Sequence, residues 1–412
     1  MDKCKWLIIL LVITASLNAQ VAQFRSGLQP MKDGDNEMLV NNFLKAYEHY
    51  TTAVTVDPTL ADAWYKRSQA LTKLARYKEA LSDQNRALIL NPNIANLYDS
   101  RAQLRMLVED YPGAVEDLTR AIADNPQRPE LYHKLANAHL ASGDFEAAVK
   151  DYDQMLKLEP TDTLAYIFRA MALLNLGDVE AAQEDLNSAM NLSEQNSLSF
   201  ELQGLIYMKR ENFPAAEEAF SRAIAINPQF DLAYYNRGLA RKLSGDLNGA
   251  EADFSKAIEL NSNISSAYFN RAMARKNLGM EELALEDYTK AIELDKDYAV
   301  AIFYRGMTKK IMGDYNGALA DYTAAIRLNE NDYEAYNNRA NVRMVFGDYS
   351  AAILDYDQAI RLKEDYALAF YNRAIAKIMI SKIETACKDL ENSKELGYHA
   401  AEQAITDFCK TR

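Results

Sequence analysis

Cysteine and histidine, the residues that most often ligate metals or act as nucleophile and base, are scarce in this chain. Its 412 residues include three cysteines and four histidines. His49, His133, His139 and His399 are scattered, and even His133 and His139, six apart, fall on different faces of a helix, so no metal-ligating pair forms. There is no phosphate-binding loop, no Gly-x-Ser-x-Gly nucleophile elbow, no zinc-protease helix and no glycine-rich dinucleotide turn. Long apolar runs are missing too. The run from Trp6 to Leu17 is twelve residues, too short to cross a bilayer comfortably. Lys3 and Lys5 precede it, and Leu17-Asn18-Ala19 puts a small residue at a cleavage point before Gln20. Residues 1–19 therefore read as a cleaved signal peptide, with an uncleaved N-terminal anchor as the alternative. Cys4 lies before the run, so there is no lipobox. Either way the rest is expected outside the cytoplasm, periplasmic or extracellular, without a membrane span after cleavage. Positive charge is also short: the net charge is −13. Residues 1–19 carry Lys3 and Lys5 against Asp2, net +1, which leaves −14 on the remainder. An acidic chain repels phosphate backbones, so nucleic acid is not an expected partner.

What is abundant is self-similarity. The stretch from Asp231 to Ile264 finds itself again when slid by 34 residues in either direction. With Asp231 as position 1, position 20 is alanine in ten repeats of ten, from Ala80 through Ala114 and so on to Ala386, and Ala46 fits one step earlier. Position 27 is alanine except at Met155 and Ser393. Position 4 is aromatic except at Ile302, position 8 is always small, position 24 is large, and Pro58, Pro92, Pro126, Pro160 and Pro228 close repeats at position 32. A fixed period of this length over some 340 residues specifies a stacked array whose members contact only their neighbours, in place of one globular core. Carboxylates, though numerous, recur in columns, and a column is scaffold. No departure from the repeat stands out as an active site, so no catalytic residue, cofactor or metal is expected.

This spacing resembles the tetratricopeptide (TPR) repeat, and the resemblance covers Ala61 to Ala400. It implies an all-α fold: an α-solenoid of about ten to eleven helix hairpins stacked into a right-handed superhelix with a concave groove. Ten full repeats open at 61, 95, 129, 163, 197, 231, 265, 299, 333 and 367 and run to about residue 398–400. Before them, residues 20–41 are polar and glycine-containing and read as a loose leader, and residues 42–60 as the second helix of a degenerate first repeat, with Phe43, Ala46, Tyr50 and Ala53 in register. After them, Ala400, Ala401, Ala404, Ile405 and Phe408 lie at helical spacing, so residues 399–412 are expected to form a capping helix. Gly143, Gly177, Gly245, Gly279, Gly313 and Gly347 are placed to end first helices in the left-handed conformation, and the aspartate that commonly follows is placed to cap the second. The repeat 197–230 is the most divergent, and its predecessor closes on Asn191-Leu192-Ser193-Glu194 without proline. The array bends or loosens there, or the drift has no consequence.

Two columns suggest roles. Position 7 is arginine in eight repeats and position 23 is aspartate in nine. Packing of the small residues at positions 8 and 20 brings 7 against 23, which predicts a repeated, structural ion pair. The second column bears on function. In TPR arrays positions 2, 5, 9 and 12 line the groove where peptides lie, and three consecutive repeats carry one chemistry there: Tyr235, Phe269 and Phe303 at 5, Leu239, Met273 and Met307 at 9, Lys242, Lys276 and Lys310 at 12. Arg241, Arg275 and Lys309 add neighbouring charge. Aromatic and methionine side chains give adaptable apolar contact, and a lysine row attracts carboxylates, so the expected partner is a protein or peptide segment with acidic and apolar residues. The bland alternative is that these side chains pack on the next repeat and the lysines solvate the face. The lysine and asparagine set with which some TPR domains clamp a chaperone's C-terminal carboxylate is not reproduced, since position 5 carries no lysine.

With Cys4 in the signal, Cys387 and Cys409 remain. If the last repeat's second helix runs to Leu396 and the final helix starts near His399, Cys387 falls opposite residue 408, so in an exported protein the two read as a disulfide, the alternative being two inert buried thiols. The arrangement is similar to the C-terminal ends of many exported bacterial TPR proteins. The function expected is that of a non-enzymatic interaction scaffold of the cell envelope, or alternatively a structural subunit of a larger envelope or secretion assembly. Partner identity and oligomeric state are not legible.

Overall fold

The computed structural model describes residues 27–94, 96–193 and 195–409. The signal-peptide reading of residues 1–19 lies outside them. Among the described residues there are twenty-three helices and no strand, and no helix is long and apolar enough to cross a membrane. The chain divides into two compact units, Met1–Glu194 and Gln195–Arg412, at the divergent closure that lacks proline.

The first unit holds five hairpins. They are α1 (27–39) with α2 (Phe43–Val56), α3 (Ala61–Lys73) with α4 (Tyr77–Leu90), α5 (Leu97–Leu107) with α6 (Tyr111–Asp124), α7 (Pro129–Ser142) with α8 (Phe145–Leu158), and α9 (Thr163–Leu176) with α10 (Val179–Leu192). The second holds six, α11 (Ser197–Lys209) with α12 (Phe213–Ile226), α13 (Asp231–Ser244) with α14 (Leu247–Leu260), α15 (Ser265–Asn277) with α16 (Glu281–Leu294), α17 (Ala299–Ile311) with α18 (Tyr315–Leu328), α19 (Tyr333–Val345) with α20 (Tyr349–Leu362), and α21 (Ala367–Met379) with α22 (Ile383–Glu395). A last helix, α23 (Ala400–Phe408), packs on α22.

Each hairpin closes on a small-to-large contact. All ten alanines at position 20 are 0% exposed, and where position 8 is glycine the ring at position 24 fills the space over it. A Cβ added to Gly238 would sit 2.8 Å from the Phe254 ring, and one added to Gly204 would collide with Phe220. The hairpin turn follows from backbone chemistry. Gly143, Gly177, Gly245, Gly279, Gly313 and Gly347 all adopt positive φ. Asp144, Asp178, Asp246, Asp314 and Asp348 then accept a backbone N–H three residues on, which satisfies a donor the opening helix turn cannot use. Where the repeat lacks the glycine, Ala75, Glu109, Glu211 and Ser381 take the same left-handed conformation at φ 56–63°, which L-residues disfavour.

One expectation requires correction. Residues 27–39 are helical, not a loose leader, so the first hairpin is complete. Gly34 is the reason: it stands one period before Ser68, at the small position 8, and the Tyr50 ring lies where its side chain would be. Asp35 then accepts from Tyr50 Oη at 2.8 Å and from Lys66 Nζ at 2.6 Å, tying α1 to α2 and α3. At the other end α23 buries Ala401 and Ala404 against Leu390, whereas Ala400 and Phe408 face solvent. The Sγ atoms of Cys387 and Cys409 lie 2.02 Å apart, joining α22 to the end of α23.

Candidate partner-binding face

The arginine and aspartate columns meet in every repeat that has both. Arg67, Arg101, Arg169, Arg237, Arg271, Arg305, Arg339 and Arg373 each grip the aspartate sixteen residues on, with closest N–O distances of 2.5–2.7 Å. The grip is a two-pronged fork, Nε to one oxygen and Nη2 to the other, as in Arg271 with Asp287. The aromatic ring at position 4 serves the same pair: Trp64, Tyr98, Tyr166, Tyr234, Tyr268, Tyr336 and Phe370 each lie under their repeat's guanidinium. In the repeat with Leu135 at position 7 an imidazole takes the guanidinium's place, since His139 Nδ1 sits 2.7 Å from Asp151. Burial nevertheless holds the Asp151 carboxyl above its ordinary range, an effect that the His139 hydrogen bond opposes.

This ladder corrects one expectation about the binding face. Arg241, Arg275 and Lys309, read as free charge beside the groove, are committed to the same aspartates, at 2.9, 2.8 and 2.8 Å from Asp253, Asp287 and Asp321. Position 11 lies one helical turn from position 7, so its side chain shares that face and meets the same carboxylate.

The nine residues singled out on α13, α15 and α17 lie within the second unit. Phe303 is buried and the other eight are half-buried. The position-5 rings lean on the position-24 rings of their own hairpins, with centroids of Tyr235 and Phe254, Phe269 and Tyr288, and Phe303 and Tyr322 5.7–5.9 Å apart. Met273 accepts from Tyr288 Oη at 3.1 Å. Phe303 is therefore core, and it cannot offer its ring to a partner.

The lysines behave differently. Lys242 Nζ donates to Asn270 Oδ1 at 2.6 Å and Lys310 Nζ to Asn338 Oδ1 at 3.0 Å, while Lys276 Nζ lies 5.3 Å from the centre of the Tyr304 ring. Each amine thus reaches position 6 of the next repeat, as the bland alternative has it, yet the acceptor there is neutral. Burial without a carboxylate partner depresses the basicity of Lys242 and Lys310. Exposed apolar surface borders the row at Leu232 and Val300, 43% and 51% accessible. The part of position 6 went unnoticed in the sequence, although Asn236, Asn270, Asn338 and Asn372 recur there at the full period.

One further group was not foreseen. Glu201 on α11 is 0% exposed; one carboxyl oxygen accepts from Asn236 Nδ2 and Oε2 has no hydrogen-bond partner. Burial pushes its pKa up to about 7. Its signal was faint: an acidic residue at position 5 in the repeat that lacks both arginine and aspartate.

Family models described as tetratricopeptide repeat or TPR repeat match residues 61–94 and 232–264, 106–150, 133–191 and 312–367, 204–245, and 265–298. Among solved structures, the chain is similar to a tetratricopeptide repeat protein from Parabacteroides merdae ATCC 43184, at 18% identity and TM-score 0.53, covering 60% of this chain and 98% of that one. It is also similar to a chain from the APC/C hetero-tetramer Cut9-Hcn1, at 16% identity and TM-score 0.50, covering 94% of this chain and 84% of that one. These likenesses are of fold. No curated protein matches the chain.

Proposed function

The chain belongs to the tetratricopeptide-repeat family, a family of protein-interaction scaffolds, and we propose that it is a non-enzymatic adaptor of the cell envelope that holds an acidic and apolar protein segment against the first helices of its second unit. One observation carries this reading. Of thirteen cationic side chains on α13, α15, α17, α19 and α21, ten bond to carboxylates of the chain, and the three that do not are Lys242, Lys276 and Lys310. In a protein of net charge −13, three adjacent repeats that leave the same cation unneutralised form a local attractor for an anionic partner. Leu239, Met273 and Met307 supply adaptable apolar contact beside it.

The envelope assignment is supported by the basic-then-apolar N-terminus and by the bond between Cys387 and Cys409, of a kind that oxidising compartments favour. A crosslinking pull-down from envelope fractions tests the whole reading. Changing Lys242, Lys276 and Lys310 together to Glu abolishes capture of the wild-type partner if the face is right, and undiminished capture overturns it. The second reading, a subunit of a larger envelope assembly, is favoured by exposed apolar residues at position 13: Leu243, Ile311, Val345 and Met379. A free monomer on sizing supports the adaptor, and a fixed large complex the subunit.

A further inference from the structure

We propose that the three unneutralised lysines act as a ruler, selecting an extended acidic segment whose three carboxylates recur at every third residue. The inference rests on the groove reading above and adds conformation, spacing and length to it.

The length comes from where the row stops. Position 12 is Met208 in the repeat before Lys242 and Met344 in the repeat after Lys310, so the cationic row has three members and two apolar ends. Spacing follows from how the amines are held. They do not sweep free solvent, because Lys242 and Lys310 are fixed to Asn270 and Asn338 and Lys276 lies over Tyr304. The anchor is the same position of the next repeat in all three, so the amines repeat with the stacking distance of first helices, about 10 Å for packed helices. An extended chain advances about 3.3 Å per residue, so about three residues span one step. An α-helix rising about 1.5 Å per residue needs about seven.

The choice between these falls on the polar groups beside the lysines. Beside the amines, Tyr304 carries a phenol and Asn338 an amide with one proton given to Glu334 O, whereas Asn270 already gives both amide protons, to Tyr235 Oη and Ser266 O. An extended segment brings main-chain N–H and C=O groups that require such partners, whereas a helix satisfies its own. The electrostatic demand is already present, since burial of Lys242 and Lys310 without a carboxylate is relieved when a carboxylate arrives.

The test uses the full mature chain and four fluorescein-labelled synthetic peptides of equal length, the first three also of equal net charge. One carries Glu at i, i+3 and i+6 with leucine and serine between, the second carries three adjacent Glu, and the third is a helix-forming peptide with Glu at i, i+7 and i+14. The fourth repeats the first with phosphoserine replacing Glu, to ask whether the row reads carboxylate or simply charge. Measured by anisotropy at fixed salt, the first binds most tightly, and each of Lys242→Met, Lys276→Met and Lys310→Met weakens it by about tenfold. Methionine is native to position 12 on both sides of the row, so these variants keep the fold, which far-UV melting verifies. Equal binding of the first two peptides, or tighter binding of the helical one, overturns the ruler while leaving the groove reading intact, provided the lysine variants still weaken all of them. Tighter binding of the phosphorylated peptide overturns the choice of carboxylate. Binding insensitive to all three lysine changes overturns the ruler and the groove reading together.

Discussion

Glu201 provides the sharpest quantitative prediction. Its carboxyl is fully buried on α11, with Asn236 as its hydrogen-bond partner and one oxygen unmatched, and its pKa rises from 4.5 to about 7 because the anion is desolvated. Below pH 4.5 both folded and unfolded chains keep the proton, and the group leaves stability unchanged. Between 4.5 and about 7 the unfolded chain releases its proton while the folded one retains it, so stability falls as pH rises, and the fall is complete above about 7. At about 1.4 kcal/mol per pH unit the loss amounts to about 3 kcal/mol. Glu201→Gln keeps the shape and the acceptor for Asn236 but cannot ionise. Urea unfolding followed by far-UV ellipticity should find the variant equal to wild type near pH 4.5 and more stable by about 3 kcal/mol at pH 8. Wild type and variant running parallel from pH 4.5 to 8 would refute the argument, because it would mean that the carboxylate finds solvent or a cation in the folded chain.

Three further outcomes follow from the packing. Asp287→Asn strips the carboxylate that Arg271 and Arg275 share, and removal of one member of such a buried set lowers stability by about 3 kcal/mol, read from the urea midpoint. Replacing Ala75, Glu211 or Ser381 by Gly relieves a left-handed backbone and raises stability by about 1 kcal/mol each, whereas Gly245→Ala lowers it by a similar amount. Reduction of the bond between Cys387 and Cys409 removes a constraint worth about 3 kcal/mol in the chain-entropy treatment, and hydrogen exchange then accelerates in α23 while α11 to α16 keep their protection.

The period made the fold legible because each repeat solves the same packing problem with the same atoms. Alanine at position 20 leaves room only for a close helix partner, glycine at 15 ends the first helix, and aspartate at 16 opens the second. The first helix of the first hairpin escaped notice because Pro30 occupies the aromatic position 4 and leaves Gly34 as the main in-register signal. The ion-pair ladder was legible since both columns belong to one hairpin. The destination of Arg241, Arg275 and Lys309 was harder to see, for although position 11 shares a face with position 7, its partner depends on whether an aspartate waits at position 23. The lysine row was visible as a column, but its anchoring was not, because the contacts of position 12 cross to another repeat 28 residues away, as from Lys242 to Asn270. Glu201 could not be valued from sequence at all: an acidic side chain at position 5 is ordinary when solvated, and only packing strips the water from it.

Site-specific photocrosslinking tests most directly whether the molecule works through the first-helix face of its second unit. A photoreactive residue at Met273, beside the lysine row, is compared with one at Leu354 on α20, which is 68% exposed and outside that row. The Met273 probe is expected to capture an envelope protein, that capture to disappear when Lys242 and Lys310 are changed to Glu, and the Leu354 probe to capture nothing comparable. Capture at Leu354 with none at Met273 would contradict a binding role for that face.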